Sequence, residues 1–135
     1  MPRFDDVHEG DELPTRSFFL AKDQVRAYAH AAGQAAPRFT DDEGARREGL
    51  PGMITPGNMS FSLLAGFIEG WAGAGRLRRL GATFRGLVLP DRTIRLCGAL
   101  TQKDAQTHSV ELDVWLENDE GERWVIGTAT VALSA

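Results

Sequence analysis

The chain has 135 residues, of which 42% are hydrophobic and 25% are charged, as in an ordinary soluble globular domain. A formal net charge of −4 argues against nucleic-acid binding, because contact with phosphates requires a basic surface. The single cysteine, Cys97, excludes an internal disulfide and a cysteine-rich metal site. No apolar run approaches the roughly 20 residues that span a bilayer, and the first residues do not resemble a signal peptide. We expect one domain over residues 1–135, located in the cytoplasm and without membrane contact.

The first half of the chain predicts a strand, a helix and a long loop. After a charged, extended lead-in, Arg16–Leu20 is predicted to be a short strand. Apolar residues then recur at helical spacing from Lys22, and Gly33 stands where a helix is expected to end. Residues 34–57 are rich in glycine and proline, which indicates a loop with one short helix near Asp41–Arg47. A loop of this length inside a small domain is usually functional.

The second half predicts one buried helix followed by antiparallel strands. Residues 58–72 are apolar on nearly every side, so this helix must be buried, and Asn58 is its N-cap candidate. Strand-forming and alternating segments predict strands at 78–84, 94–100, 109–117 and 124–133. The order predicts an α+β fold in which a curved antiparallel sheet wraps around one long central helix. One such sheet cannot cover the helix completely, so we expect pairing with a second chain.

The loop carries the most specific pattern in the chain. Gly33, Pro37, Asp41, Glu43 and Ala45 are spaced as in a Gly-Asp-x-Asn-Pro-x-His signature that continues through a short acidic spacer to an alanine. This stretch resembles the signature of the MaoC-like (R)-specific enoyl-thioester hydratases.

Two further segments extend the resemblance over nearly the whole chain from Arg16. Residues 52–59 are similar to the family's Ile-Ala-His-Gly-Met segment, which opens the central helix, and residues 83–91 are similar to its Phe-x-x-Pro-Val-x-x-Gly-Asp turn. The resemblance implies the hotdog fold and acyl thioesters of coenzyme A (CoA) or acyl carrier protein (ACP) as binding partners. It also implies a homodimer or a heterodimer with a related hotdog chain, and neither a metal nor a cofactor.

The two positions that carry the family's chemistry are altered. In the family, the Asp after the first Gly and the His after the Pro activate water and move the proton at the α-carbon of the thioester. These positions hold Gln34 and Phe39, and neither a glutamine amide nor a phenyl ring can exchange that proton. Losing each such group typically costs a factor of about 10² to 10⁴ in rate. We therefore do not expect the family reaction from this chain.

Substrate binding is expected to survive these changes. Gly57 stands at the expected start of the central helix, and the resemblance implies that its backbone N–H polarises the thioester carbonyl without help from a side chain. The candidate substrate-binding residues are Pro37, Thr55, Asn58 and Arg85.

Several polar residues also have a plainer structural interpretation. Thr55 and Ser60 suit helix capping, and residues 41–43 suit the acidic first turn of a helix. The arginines at 76, 78, 79 and 85 would hold the phosphates of CoA or the acidic face of ACP, or they form a solvated strand entry. The three histidines are too scattered for a metal site.

Three functions remain open. The leading hypothesis is a substrate-binding or non-catalytic subunit of a heteromeric hydratase, beside an active partner. The second is an active hotdog enzyme with altered chemistry, a lyase or thioesterase, in which Gln34 and Thr55 position water and Asp41 or Asp42 acts as the base. The third is a hotdog domain that binds another small molecule or has a purely structural role.

Overall fold

The computed structural model describes residues 1–135 and contains five strands and four helices. In chain order these are β1 (Arg16–Leu20), α1 (Lys22–Ala31), α2 (Pro37–Thr40), α3 (Asp42–Arg47), α4 (Gly57–Ala72), β2 (Leu77–Phe84), β3 (Arg92–Asp104), β4 (Ser109–Asn118) and β5 (Arg123–Ala132). A 3-10 turn at Phe4–Asp6 precedes them. None of the four helices combines the length and the hydropathy needed to cross a bilayer.

The strands form one antiparallel sheet, and α4 packs across its inner face. The strand order is β1-β3-β4-β5-β2, so β1 and β2 are the edges. In β4 the buried residues alternate with polar ones as the sequence predicts, and they share one core with Leu64 and Ile68 of α4, which are fully buried. The predicted α+β hotdog architecture, a curved antiparallel sheet around a long central helix, is confirmed.

The burial of α4 differs from the prediction, because the helix is buried on one side only. Phe61, Ser62, Gly66, Glu69 and Gly70 are exposed. A methyl group added at Gly66 or Gly70 would meet no atom within 4 Å, so no neighbouring backbone of this chain approaches them. The exposed side contains Ser62, Gly66, Glu69 and Gly70, and glycine and serine do not mark a surface in the sequence pattern. Phe61 is 36% exposed, but its spacing to Leu64 and Ile68 places it on their side of the helix. The result is an uncovered helix face opposite the sheet.

The segment between α1 and α4 is more helical than predicted. α1 ends before Gly33, whose φ of 69° is a left-handed conformation that glycine adopts without strain. α3 matches the predicted short helix, whereas α2 was not predicted because four residues carry no periodic pattern. α2 begins at Pro37, a residue that suits the first helical position.

Replacing Leu64 by alanine tests the packing of α4 against the sheet. We expect Leu64→Ala to lower the free energy of unfolding by about 2–5 kcal/mol, because it leaves a cavity between the helix and the strands. Glu69→Ala, on the exposed face of the same helix, should change it by no more than about 0.5 kcal/mol. Urea denaturation measures both values. Equal, small effects would contradict this packing.

Candidate functional site

A cleft of about 230 Å³ opens at the N-terminal end of α4. Its walls come from α2, from the segment that leads into α4, from the start of α4 and from the connection after β2. Two larger clefts of about 510 Å³, one on the outer face of the sheet and one beside the N-terminal segment, contain none of the candidate site residues. We therefore place the candidate site in the smaller cleft.

Gly57 presents the free end of α4 to this cleft. It is the first residue of the helix, it follows Pro56, and no side chain caps the helix. The carbonyl of Pro56 accepts the N–H groups of Met59 and Ser60 at 3.0 and 3.2 Å. Helix geometry leaves the preceding N–H groups, on Gly57 and Asn58, without an intrahelical acceptor. These groups and the positive end of the helix dipole favour a bound oxygen atom that carries partial negative charge.

The side chain of Phe84 lies against Gly57. A methyl carbon added at Gly57 would lie 3.3 Å from Cζ of Phe84, so a larger residue fits only if the ring moves. Phe84 ends the edge strand β2, and 50% of it is exposed. The glycine at position 57 therefore matches the narrow space beside this ring.

Two hydroxyl groups in the cleft wall have no hydrogen-bond partner. Thr55 is 5% exposed and Ser60 is fully buried, and neither Oγ1 of Thr55 nor Oγ of Ser60 is paired. Neither hydroxyl caps α4, and Asn58 is the second residue of the helix rather than its N-cap. Both capping predictions are therefore wrong. The N-cap is Pro56, whose side chain has no atom that could accept a hydrogen bond.

The two positions that the loop pattern predicts to be altered lie in different surroundings. Phe39, in α2, lines the cleft. Gln34 follows α1, where its N–H donates to the carbonyl of Ala29 at 2.7 Å. Its side-chain Oε1 is buried without a partner, but Gln34 is not part of the cleft wall. The residues that line the cleft include no carboxylate and no imidazole, so the wall contains no conventional general base.

The remaining candidates do not line the cleft. Pro37 begins α2, Asn58 is exposed in the first turn of α4, and Arg85 is exposed after β2. The structure thus brings together three of the predicted site residues: Phe39, Thr55 and Gly57.

Asp41 and Asp42 are both engaged in holding the backbone. Asp41 caps α3, because its carboxylate accepts the N–H of Gly44 at 2.9 Å. Asp42 accepts the N–H of Met53 at 2.9 Å and an ion-paired hydrogen bond from Lys22 at 2.9 Å. The bond from Met53, and then the one from Lys22, lower the pKa of the Asp42 carboxyl below its ordinary value of 3.8. A carboxylate with a lowered pKa is a poor base at neutral pH.

The predicted basic residues stay at the surface and do not line the cleft, although Arg85 lies between the wall residues Phe84 and Gly86. Arg78 donates to the carbonyl of Gly75, and Arg79 pairs with Glu111 at 3.4 Å. None of the arginines at 76, 78, 79 and 85 lines the cleft. The chain contains no group of three His, Cys, Asp or Glu side chains arranged to hold a metal ion.

The structure adds cleft residues that the sequence reasoning did not assign to a site. Arg38 lies in the wall and pairs with Glu48 at 3.1 Å, and Phe84 and Val88 complete the apolar side. Ser60 was identified only as a possible cap. A usable signal existed for Ser60 alone, because a residue three positions after Gly57 shares its helix face.

A five-stranded antiparallel sheet around one helix, with a cleft at the helix N-terminus, defines a hotdog domain. The chain belongs to the family described as the MaoC-like domain, whose profile matches residues 5–120. A solved structure named MaoC-like dehydratase superposes with a TM-score of 0.92 at 31% identity, covering 98% of this chain and 42% of that chain. The (R)-hydratase from A. caviae involved in PHA biosynthesis superposes with a TM-score of 0.86 at 18% identity, covering 94% of this chain and 97% of its own.

Two further similarities concern a complex and a longer relative. A chain of the ChsH1-ChsH2 complex from Mycobacterium tuberculosis has a TM-score of 0.85 at 16% identity, covering 94% of this chain and 98% of its own. The UPF0336 protein SCO4636 of Streptomyces coelicolor is 36% identical over 50 residues, which are 37% of this chain and 33% of that protein. The chain thus spans less than half of the MaoC-like dehydratase, and its match covers a third of the curated relative.

The lowered pKa of Asp42 predicts a pH-dependent stability. The folded chain favours the ionised Asp42 carboxylate. Its contribution to the free energy of unfolding is therefore fully present above pH 3.8, the ordinary pKa, and is lost as the pH falls through the lowered pKa. We expect Asp42→Asn to unfold at a lower urea concentration than wild type at pH 7. This difference in unfolding midpoint should disappear as the pH falls through the lowered pKa of Asp42. Asp119→Asn, in an exposed turn, should match wild type throughout. A gap that is constant with pH would contradict the assignment.

Proposed function

We propose that this chain is a substrate-binding, non-catalytic subunit of a heteromeric hydratase or dehydratase that acts on acyl thioesters of CoA or ACP. One observation carries the proposal: the open N-terminus of α4 borders a cleft whose wall contains no base. The resemblance of the loop implies, in addition, that Gln34 and Phe39 stand where the family has its acid/base pair. The family membership of the chain supports the thioester as ligand.

The cleft suits a carbonyl group attached to a short apolar chain. In the proposed complex, the N–H of Gly57 donates to the thioester oxygen, and the helix dipole adds to this polarisation. Phe39, Phe84 and Val88 line the cleft with apolar surface and would contact the acyl group. Polarisation alone does not add water, because a proton must also be moved at the α-carbon. The hydration step therefore requires groups from another chain.

One feature of the surface and the comparisons support a partner chain. The exposed face of α4 includes Gly66 and Gly70, and a methyl group added at either would meet no atom of this chain, which leaves room for close approach by another backbone. Among the fold relatives, the dehydratase chain is more than twice as long as this one, and one neighbour comes from a complex of ChsH1 with ChsH2. Both are consistent with pairing of this domain.

The charge of the free sheet edge favours a different chain over a second copy. The edge strand β2 carries Arg78 and Arg79 and no acidic residue. Arg79 already pairs with Glu111 of its own chain, so Arg78 is the charge that two copies paired through this edge would bring together, and like charges on paired strands oppose pairing. A partner with acidic side chains along its edge would meet no such repulsion. We therefore favour the heterodimer over the homodimer.

The alternative of altered chemistry receives no support from the acidic residues. It required Asp41 or Asp42 as a base, but Asp41 caps α3 and Asp42 is held by Met53 and Lys22. Neither residue lines the cleft.

Restoring the two altered positions tests the proposal. We expect the purified wild-type chain to hydrate crotonyl-CoA no faster than the buffer background. The double variant Gln34→Asp with Phe39→His should exceed wild type by a factor of about 10² or more, because it returns a base and an acid to the two positions that hold them in the family pattern. The loss of absorbance of the conjugated thioester measures both rates.

A second double variant at the same positions is the control for this assay. Gln34→Asn with Phe39→Leu changes both side chains without adding an acid or a base, so it should stay at background. Robust turnover by wild type would contradict the non-catalytic role. A folded but inactive Gln34→Asp, Phe39→His variant would mean that the two positions no longer face a competent thioester site.

A further inference from the structure

The outer face of the sheet, opposite the side that covers α4, contains an aromatic side chain among polar neighbours. Trp115 of β4 is partly exposed there, whereas Val114 and Leu116 on either side of it are buried on the inner face. Ile126, its partner in β5, is also partly exposed. Both residues line the outer cleft of about 510 Å³. Tryptophan at a surface is typical of the core of a protein–protein interface.

Arg123 lies on one side of this apolar pair and has no partner for its charge. Its guanidinium carbon lies 3.9 Å from the centroid of the Trp115 ring. A guanidinium over a ring face is held in place, and its N–H groups stay free to bind a carboxylate at their edge. Glu117, which is opposite Arg123, is already bound by Arg95 at 2.6 Å and by the indole of Trp115 at 2.7 Å. Arg123 therefore presents an unpaired cation at the surface.

Asp113 lies on the other side of the same apolar pair. It stands two residues before Trp115 in β4, it is exposed, and the adjacent ion pair of Arg79 with Glu111 does not include it. Arg123 is opposite the residue four positions after Asp113, so about 13 Å separates the two rows of the sheet. An ion pair between the two residues cannot form within one chain at this distance. Along the strands, the face thus presents a cation, an apolar pair and a carboxylate in order.

This order of charges is complementary to itself. We infer that the outer face of the sheet joins two copies of the chain back to back, around a two-fold axis that crosses the strands at Trp115 and Ile126. Such an axis exchanges the rows on either side of it, so Arg123 of each copy faces Asp113 of the other. Sheets that pack face to face lie about 10 Å apart, a gap that an arginine and an aspartate span together.

The interface is separate from the thioester site and from the surfaces that we propose for the heteromeric partner. α4 packs on the inner face of the sheet, and the free edge of β2 lies at the side of the sheet. A second copy on the outer face leaves both accessible. The inference therefore does not depend on the proposed function. It implies that a heteromeric partner joins a pair of these chains rather than a single chain.

Sedimentation of two charge-reversal variants, alone and mixed, tests the interface. We expect Asp113→Arg alone and Arg123→Asp alone to have half the mass of the wild-type assembly at micromolar concentration, because each places like charges opposite each other twice. Their dissociation constants should rise by a factor of about 10² or more, since each change counts twice at a two-fold interface. An equimolar mixture should recover the wild-type mass, because both facing pairs then join an arginine to an aspartate.

The matched controls are Asp5→Arg and Arg47→Asp, which reverse charges at exposed positions outside the sheet and should keep the wild-type mass. Circular dichroism checks that each variant folds. If a reversal unfolds the chain, Asp113→Asn and Arg123→Gln replace it, and both should weaken association by a smaller factor. A monomeric wild type, single variants of unchanged mass, or a mixture that stays at half mass would overturn the interface.

Discussion

One sheet of five strands can cover only one side of a helix, and this constraint determines both surfaces of the molecule that matter for function. The inner face of the sheet buries Leu64 and Ile68 completely, whereas Gly66 and Glu69 on the other side of α4 are exposed. The same placement leaves the N-terminus of α4 open at the cleft, where Gly57 begins the helix without a side-chain cap. The proposed ligand site and the proposed partner surface are thus two consequences of how one helix is covered.

Most of the fold could be predicted from the sequence, because its helices and strands carry strong local patterns. The alternation in β4 and the helical spacing of α1 match the structure, and Gly33 adopts the left-handed conformation expected after a helix. The exposed side of α4 could not be predicted, because glycine and serine residues do not distinguish an exposed helix face from a buried one. The start of the same helix was also misjudged. Asn58 is a good cap by residue type, but the chain enters the helix one residue earlier, at Gly57 after Pro56.

The candidate site was only partly predictable, since it depends on segments that meet in space. Spacing within one loop predicts that Gln34 and Phe39 are the altered positions. It was not enough to show that Phe39 lines the cleft while Gln34 does not. Phe84 reaches Gly57 from the end of an edge strand, a contact that no local pattern encodes. The acidic residues were correctly favoured as a helix start, and the additional bond from Met53 to Asp42 came only from the fold.

The central proposal is that the chain binds an acyl thioester but does not catalyse its hydration. A crystal structure of the chain grown with crotonyl-CoA tests this most directly, because the ligand would remain in its unreacted form. The account predicts an intact double bond and a thioester oxygen within about 2.7–3.2 Å of the Gly57 nitrogen. A hydrated acyl group in the cleft, or a thioester bound elsewhere with the start of α4 unoccupied, would contradict it.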